Sequence, residues 1–121
     1  MAKVLIVDDS PTTTFTLKGM VERWGYEVVV AESGDQALHV AKQEHPNVIL
    51  MDIVMPGMSG FQATRNLARD HHTSNIPVIF VTKKDGDADR SWGMRQGAIA
   101  YVTKPINPEM LQSAIGEAIA A

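Results

Sequence analysis

The stretch Val48-Ile49-Leu50-Met51-Asp52, near the middle of the chain, places four apolar residues directly before one acid. A short apolar run of this kind predicts a strand that is buried on both faces, as in a parallel sheet. An acid that abuts such a run must be paired, metal-bound or functional, because an isolated buried charge is costly. Asp52 is therefore the first candidate functional residue.

On either side of this stretch, short apolar runs alternate with segments of helical period. The sequence predicts strands at 4–7, 26–31, 48–51, 76–81 and 99–102, and helices at about 11–24, 34–44, 61–69, 87–96 and after Pro105. Strict alternation of strands and helices predicts an α/β fold, a doubly wound five-stranded parallel sheet with five helices. The 121 residues fit one compact domain, so we predict a single domain over residues 1–121.

Composition excludes several classes of function. The formal net charge is −3, and no segment is dominated by Lys or Arg, which argues against binding to nucleic acid or to anionic membranes. The chain has no cysteine, so it can form neither a disulfide nor a Cys-ligated metal site. The sequence predicts no secretory signal and no membrane-spanning segment, and a cytoplasmic location is expected.

The candidate chemistry lies where the predicted strands end. Asp8 and Asp9 follow the first strand, Asp52 the third, Thr82 the fourth and Lys104 the fifth. In an open parallel sheet these ends share one edge, where ligands bind. Taken singly, an acid before a helix can serve its N-terminus, and the threonine and lysine can be ordinary surface residues. Together at one edge, they favour a functional site.

The residue types suit phosphoryl transfer to a carboxylate. Clustered carboxylates repel one another, and a hard cation such as Mg²⁺ relieves that repulsion. A metal and an ammonium can neutralise the oxygens of an incoming phosphoryl group, and a hydroxyl can donate to another of them. The set therefore predicts in-line transfer to an Asp oxygen, driven by positioning and electrostatics.

Four motifs at these positions strongly resemble the receiver domain of two-component signalling, the family of CheY. They are Val7-Asp8-Asp9-Ser10, Met51-Asp52-Ile53-Val54-Met55-Pro56-Gly57, Val81-Thr82 and Tyr101-Val102-Thr103-Lys104-Pro105. The resemblance implies a flavodoxin-like strand order of 2-1-3-4-5. Within the family, the chain looks most similar to the stand-alone regulators of type IV pilus twitching motility, the PilH type.

The resemblance also implies roles at the metal and phosphoryl sites. Asp52 would be the phosphoacceptor, and Asp9, Asp52 and the backbone carbonyl of Val54 would ligate Mg²⁺. Asp8 would act mostly through a metal-bound water. Lys104 would contact the phosphoryl group, and its peptide bond to Pro105 would be cis.

Two further residues would form the switch. Thr82 would turn inward toward the phosphoryl group, and Tyr101 would change rotamer in response. The alternative for Tyr101 is an ordinary, half-buried strand tyrosine.

The function implied is a phosphorylation-activated signalling switch rather than an enzyme with its own substrate. A histidine kinase would donate the phosphoryl group, and the face made by the fourth helix, fifth strand and fifth helix would bind an output protein. No output module is expected in the sequence. A phosphate sink for a shared kinase is equally compatible.

Two other classes compete with this interpretation. A phosphohydrolase of the haloacid-dehalogenase type also uses an Asp nucleophile, Mg²⁺ and Lys, but its paired acids follow the first strand as Asp-x-Asp. A flavodoxin-like FMN carrier would need a Thr/Ser/Gly-rich phosphate loop after the first strand, and that loop is absent from the sequence.

Histidines and one tryptophan complete the candidates. His39, His45, His71 and His72 fall on no strand end, so we expect surface residues rather than ligands or phosphocarriers. Trp92 lies in the segment with the poorest amphipathic pattern. It fits either the core, the interpretation we favour, or an exposed partner surface.

Overall fold

The computed structural model describes residues 1–120 and shows every predicted strand and helix, with small shifts at several ends. The strands are β1 (Lys3–Val7), β2 (Glu27–Ala31), β3 (Val48–Met51), β4 (Val78–Thr82) and β5 (Ala100–Thr103). The helices are α1 (Pro11–Arg23), α2 (Gly34–Glu44), α3 (Gly60–Arg69), α4 (Asp87–Arg95) and α5 (Pro108–Ala120). None of these helices is long and apolar enough to cross a membrane. Ala121, the last residue of the predicted domain, lies outside the described residues.

The five strands form one parallel sheet in the order β2-β1-β3-β4-β5, which confirms the predicted doubly wound fold. The chain leaves β1 toward one edge to form β2 and then returns to the other side of β1 to form β3. The direction of winding therefore reverses between β1 and β3. Crevices at such a reversal are the usual ligand sites of open α/β sheets.

The core lies on both faces of the sheet because successive strand residues point to opposite sides. On one face, Leu5 and Val7 pack beneath residues of α2 and α3. On the other face, Val4 and Ile6 pack beneath Leu17 of α1 and beneath α5. This two-sided burial explains why the strands read as continuous apolar runs.

Three helices begin with a serine cap. The hydroxyl oxygens of Ser10, Ser33 and Ser59 each accept a hydrogen bond from the backbone amide three residues later. Because that bond satisfies an otherwise free amide of the first turn, it fixes where each helix starts. α4 follows Gly86 and has no side-chain cap.

α4 packs on the sheet through a glycine, and this corrects the expectation for Trp92. Gly93 is the buried residue of α4, and a Cβ there would lie 3.0 Å from the Phe80 ring and 3.2 Å from the Tyr101 ring. With Gly93 facing the sheet, the neighbouring Trp92 side chain is 45% exposed. The core interpretation of Trp92 is therefore wrong, and the exposed alternative describes it.

We predict that Gly60→Ala destabilises the protein, because a Cβ at Gly60 would collide with the Asp52 carbonyl oxygen and lie 2.8 Å from the Ile53 Cα. Backbone atoms cannot rotate away, so we expect a loss of about 3 kcal/mol, the upper end for overpacking. Gly116→Ala is the matched control, since nothing lies within 4 Å of its Cβ position. That change should stabilise α5 by about 0.5–1 kcal/mol. Equal unfolding midpoints in urea for the two variants would contradict the prediction.

Candidate functional site

Backbone hydrogen bonds place three of the predicted site residues just beyond their strands. The Asp8 amide donates to the Ala31 carbonyl at 3.2 Å, and the Asp52 amide donates to the Val7 carbonyl at 2.9 Å. The Lys104 amide donates to the carbonyl of Thr82 at 2.8 Å. Each bond extends the pairing of neighbouring strands by one step. The sheet itself therefore sets the positions from which these side chains reach into one cleft.

That cleft has a volume of about 300 Å³ and opens at the carboxyl edge of the sheet. It brings together every residue that the sequence placed at the metal and phosphoryl sites. Its lining consists of Asp8, Asp9, Ser10, Thr13, Asp52, Val54, Thr82, Lys83 and Lys104.

Lys104 lies between two buried carboxylates. Its ammonium is 2.9 Å from Asp8 Oδ2 and 3.5 Å from Asp52 Oδ2. The other oxygen of each carboxylate accepts a backbone amide, from Ser10 at 2.9 Å for Asp8 and from Ile53 at 2.8 Å for Asp52. Both carboxylates are thus partnered at each oxygen, which is what buried charges require.

Burial raises the pKa of Asp52 above its ordinary value. The Lys104 ammonium opposes this rise, the nearby Asp8 charge adds to it, and hydrogen bonds from Thr82 and Ile53 oppose it. Asp52 is only 9% exposed, so its carboxylate keeps little of the water that would stabilise its charge at the surface. An added positive charge in the cleft would stabilise the ionised form further.

The donor set of the cleft fits Mg²⁺. Asp8, Asp9 and Asp52 each offer a carboxylate oxygen, and these oxygens lie within 4.8 Å of one another. Asp9 is exposed, whereas the other two are buried. An all-oxygen set with one side open to water suits a hard cation that keeps part of its hydration shell.

Thr82 connects the cleft to Tyr101. Thr82 is fully buried, and its hydroxyl oxygen accepts the Lys84 amide at 3.3 Å. The Lys84 carbonyl in turn accepts the Tyr101 hydroxyl at 2.6 Å. Tyr101 is 7% exposed, so it is buried rather than half-buried. The Lys104–Pro105 peptide bond is cis, as the resemblance implied.

Sequence reasoning missed three lining residues as parts of the site: Ser10, which was expected only as a helix cap, Thr13 and Lys83. Lys83 directly follows Thr82, so its place in the chain was a usable signal. Thr13 lies in the first turn of α1, which begins beside the acids. The alternation of apolar and polar residues does not indicate that the Thr13 side chain reaches the cleft.

A doubly wound sheet with an acid–lysine cleft at its point of reversal defines the class of CheY-like signalling domains. Residues 4–116 match the response regulator receiver domain, and the chain belongs to that family. Its fold and its motifs therefore both confirm the resemblance seen in the sequence.

Individual relatives agree with this membership. Protein PilH of Pseudomonas aeruginosa is 53% identical over 120 residues, which cover 99% of this chain and 99% of PilH. A sensor histidine kinase receiver domain from Pseudomonas aeruginosa PAO1, with a magnesium ion coordinated in its active-site cleft, has a TM-score of 0.91 at 28% identity, with 99% and 98% covered. Chemotaxis protein CheY4 of Vibrio cholerae has a TM-score of 0.90 at 31% identity, with 98% of each chain covered.

We predict that Asp52→Asn stabilises the fold at pH 7. Because burial raises the pKa of Asp52, its ionised form costs stability above that pKa, and the cost fades as the pH falls through it and the group is protonated. The gain should be on the order of 1 kcal/mol at pH 7 and should shrink at acidic pH. Urea unfolding at several pH values tests this, with the exposed Glu117→Gln as control. A gain that is constant across the pH range would contradict it.

Proposed function

We propose that this chain is a phosphorylation-activated switch in which Asp52 accepts a phosphoryl group from a histidine kinase, with Mg²⁺ as cofactor. The observation that carries the proposal is the Lys104 ammonium beside two buried carboxylates in an open cleft. The whole of residues 1–121 would act as one receiver domain. Its chemistry would be limited to its own phosphorylation and dephosphorylation.

Each residue has a defined part in the transfer. An Asp52 oxygen forms a bond to phosphorus while the P–N bond of the phosphohistidine breaks and the imidazole leaves. Lys104, now 3.5 Å from Asp52, would bind one phosphoryl oxygen, and the Thr82 hydroxyl would donate to another. Asp8, Asp9, Asp52 and the Val54 carbonyl would hold Mg²⁺. The bound cation would supply positive charge to the remaining phosphoryl oxygen.

A phosphoryl group on Asp52 would shift the packing around Tyr101. If the Thr82 hydroxyl turns toward that group, it gives up the Lys84 amide, and the hydrogen bond from Tyr101 to the same segment weakens. The result would be a population shift between two packings of the segment around Lys84 and Tyr101. The α4–β5–α5 face would carry the signal, because Trp92 and Met110 are exposed there.

Similarity to PilH over nearly the full length supports a role in twitching motility or related chemotaxis-like signalling. The output would be a protein contact, without binding to nucleic acid or insertion into membranes. The exchange would take place in the cytoplasm, where a histidine kinase could draw on nucleoside triphosphate. Draining phosphate from a shared kinase is the second candidate, since it needs the same cleft but no output face.

We predict that acetyl phosphate and Mg²⁺ give one phosphoryl adduct, seen by intact mass spectrometry, that is absent in Asp52→Asn. The variant keeps the shape of the side chain but lacks the nucleophilic carboxylate. Asp35→Asn is the matched control, because Asp35 is an exposed acid in the first turn of α2. An undiminished adduct in Asp52→Asn, or equal labelling after chelation of Mg²⁺, would contradict the proposal.

We also predict that beryllofluoride, a phosphoryl mimic, shifts backbone amide resonances beyond the cleft. Residues of α4 and β5, including Trp92 and Tyr101, should move with those around Asp52, because Lys84 joins the two regions. Tyr101→Phe, which lacks the donating hydroxyl, should reduce the distant shifts and keep those of the cleft. Changes confined to the cleft of the wild type would favour the phosphate-sink candidate.

A further inference from the structure

A second group of possible metal ligands lies in the turn that follows α3. All four histidines are exposed, as predicted for surface residues. Two of them, His71 and His72, are brought together with Asp70 so that one ligand atom from each lies within 4.8 Å of the others. This turn leads to the first residue of β4, at the sheet edge opposite the acidic cleft.

The two imidazoles are arranged side by side. Their ring centroids are 4.0 Å apart and the rings are tilted by 37°. His72 Nδ1 lies 3.3 Å from Asp70 Oδ1, so Nε2 is the nitrogen of this ring that remains for a cation. A carboxylate that orients a histidine through one ring nitrogen, while the other binds metal, is the usual outer-sphere arrangement of metal sites.

A buried threonine holds the turn in this shape. The Thr73 hydroxyl donates to the Leu67 carbonyl at 2.7 Å and is inaccessible to water. The amides of Thr73 and Ser74 both donate to the Asp70 carbonyl, at 3.0 and 2.8 Å. The backbone that carries the two histidines is therefore fixed by the protein core before any ligand arrives, which lowers the entropy cost of binding.

Lys42 also contacts the Asp70 carboxylate. A hydrogen bond from Lys42, together with the His72 amide, lowers the pKa of Asp70 to about 2. Lys42 Nζ is 2.7 Å from Asp70 Oδ2. Lys42 therefore competes with any incoming cation for this carboxylate.

We propose that His71 and His72 bind a transition-metal ion of the Zn²⁺ class, with Asp70 orienting His72 and balancing charge. Imidazole nitrogens select such ions, whereas the all-oxygen cleft around Asp52 selects Mg²⁺. The two sites lie at opposite edges of the sheet and differ in ligand chemistry. The proposal is therefore independent of the phosphoryl site.

The test is calorimetric titration of the Asp52→Asn protein with Zn²⁺ in excess Mg²⁺. The substitution removes one carboxylate from the acidic cleft, and Mg²⁺ occupies the ligands that remain there, so Zn²⁺ binding at the cleft is suppressed. We expect one Zn²⁺ to bind, with affinity reduced at least about tenfold in His71→Ala and in His72→Ala. His39→Ala is the matched control and should leave the affinity unchanged. Lys42→Met should tighten binding, because it removes the competing cation.

Two results would overturn the proposal. One is an affinity that both His71→Ala and His72→Ala leave unchanged. The other is an equal loss in His39→Ala, which would mean that Zn²⁺ binds to any exposed imidazole. Circular dichroism of each variant should show an intact fold, because the substituted positions are exposed.

Discussion

The Lys104 ammonium joins two carboxylates that would otherwise repel each other in a buried cleft. It lies 2.9 Å from Asp8 and 3.5 Å from Asp52, and all three side chains have lost most of their contact with water. Removing the lysine would cost about 3–5 kcal/mol, because two buried like charges would then remain without a compensating one. The sheet edge can therefore hold two buried acids only because β5 brings the lysine to them. That arrangement holds both acids in position for a metal.

Hydrogen bonds connect the same cleft to α4. Lys84 accepts the Tyr101 hydroxyl through its carbonyl and donates its amide to Thr82. Arg90 of α4 closes the arrangement, with its guanidinium 5.0 Å from the Tyr101 ring centroid and Nη1 donating to the Tyr101 carbonyl at 3.2 Å. A change at the threonine therefore alters contacts on which the position of α4 depends. Gly93 strengthens this dependence, because it brings the helix backbone directly against two aromatic rings.

The sequence predicts the fold and the assembly of the cleft because both follow from strand ends. Parallel strands share one carboxyl edge, so Asp8, Asp52 and Lys104 had to meet there. The preference of Lys104 for Asp8 over Asp52 depends on side-chain reach, about which periodicity says nothing. The prediction for Trp92 was wrong because α4 packs on the sheet through Gly93. Amphipathic patterns count large apolar side chains and therefore do not predict a helix contact made by a glycine. The pairing of His71 with His72 depends on the buried Thr73, which no local pattern reveals.

Asp8 and Lys104 are 96 positions apart in the chain, yet their side chains share one hydrogen bond. Closing so long a loop has an entropic cost that only the surrounding sheet can offset. Because Lys104 follows β5, the last strand, the site can form only after the whole sheet has been synthesised. A chain still attached to the ribosome, with β5 not yet emerged, has its acids but not its lysine. In such a nascent chain Asp8 and Asp52 have no ammonium between them, so the complete acid–lysine cleft exists only once all five strands are present.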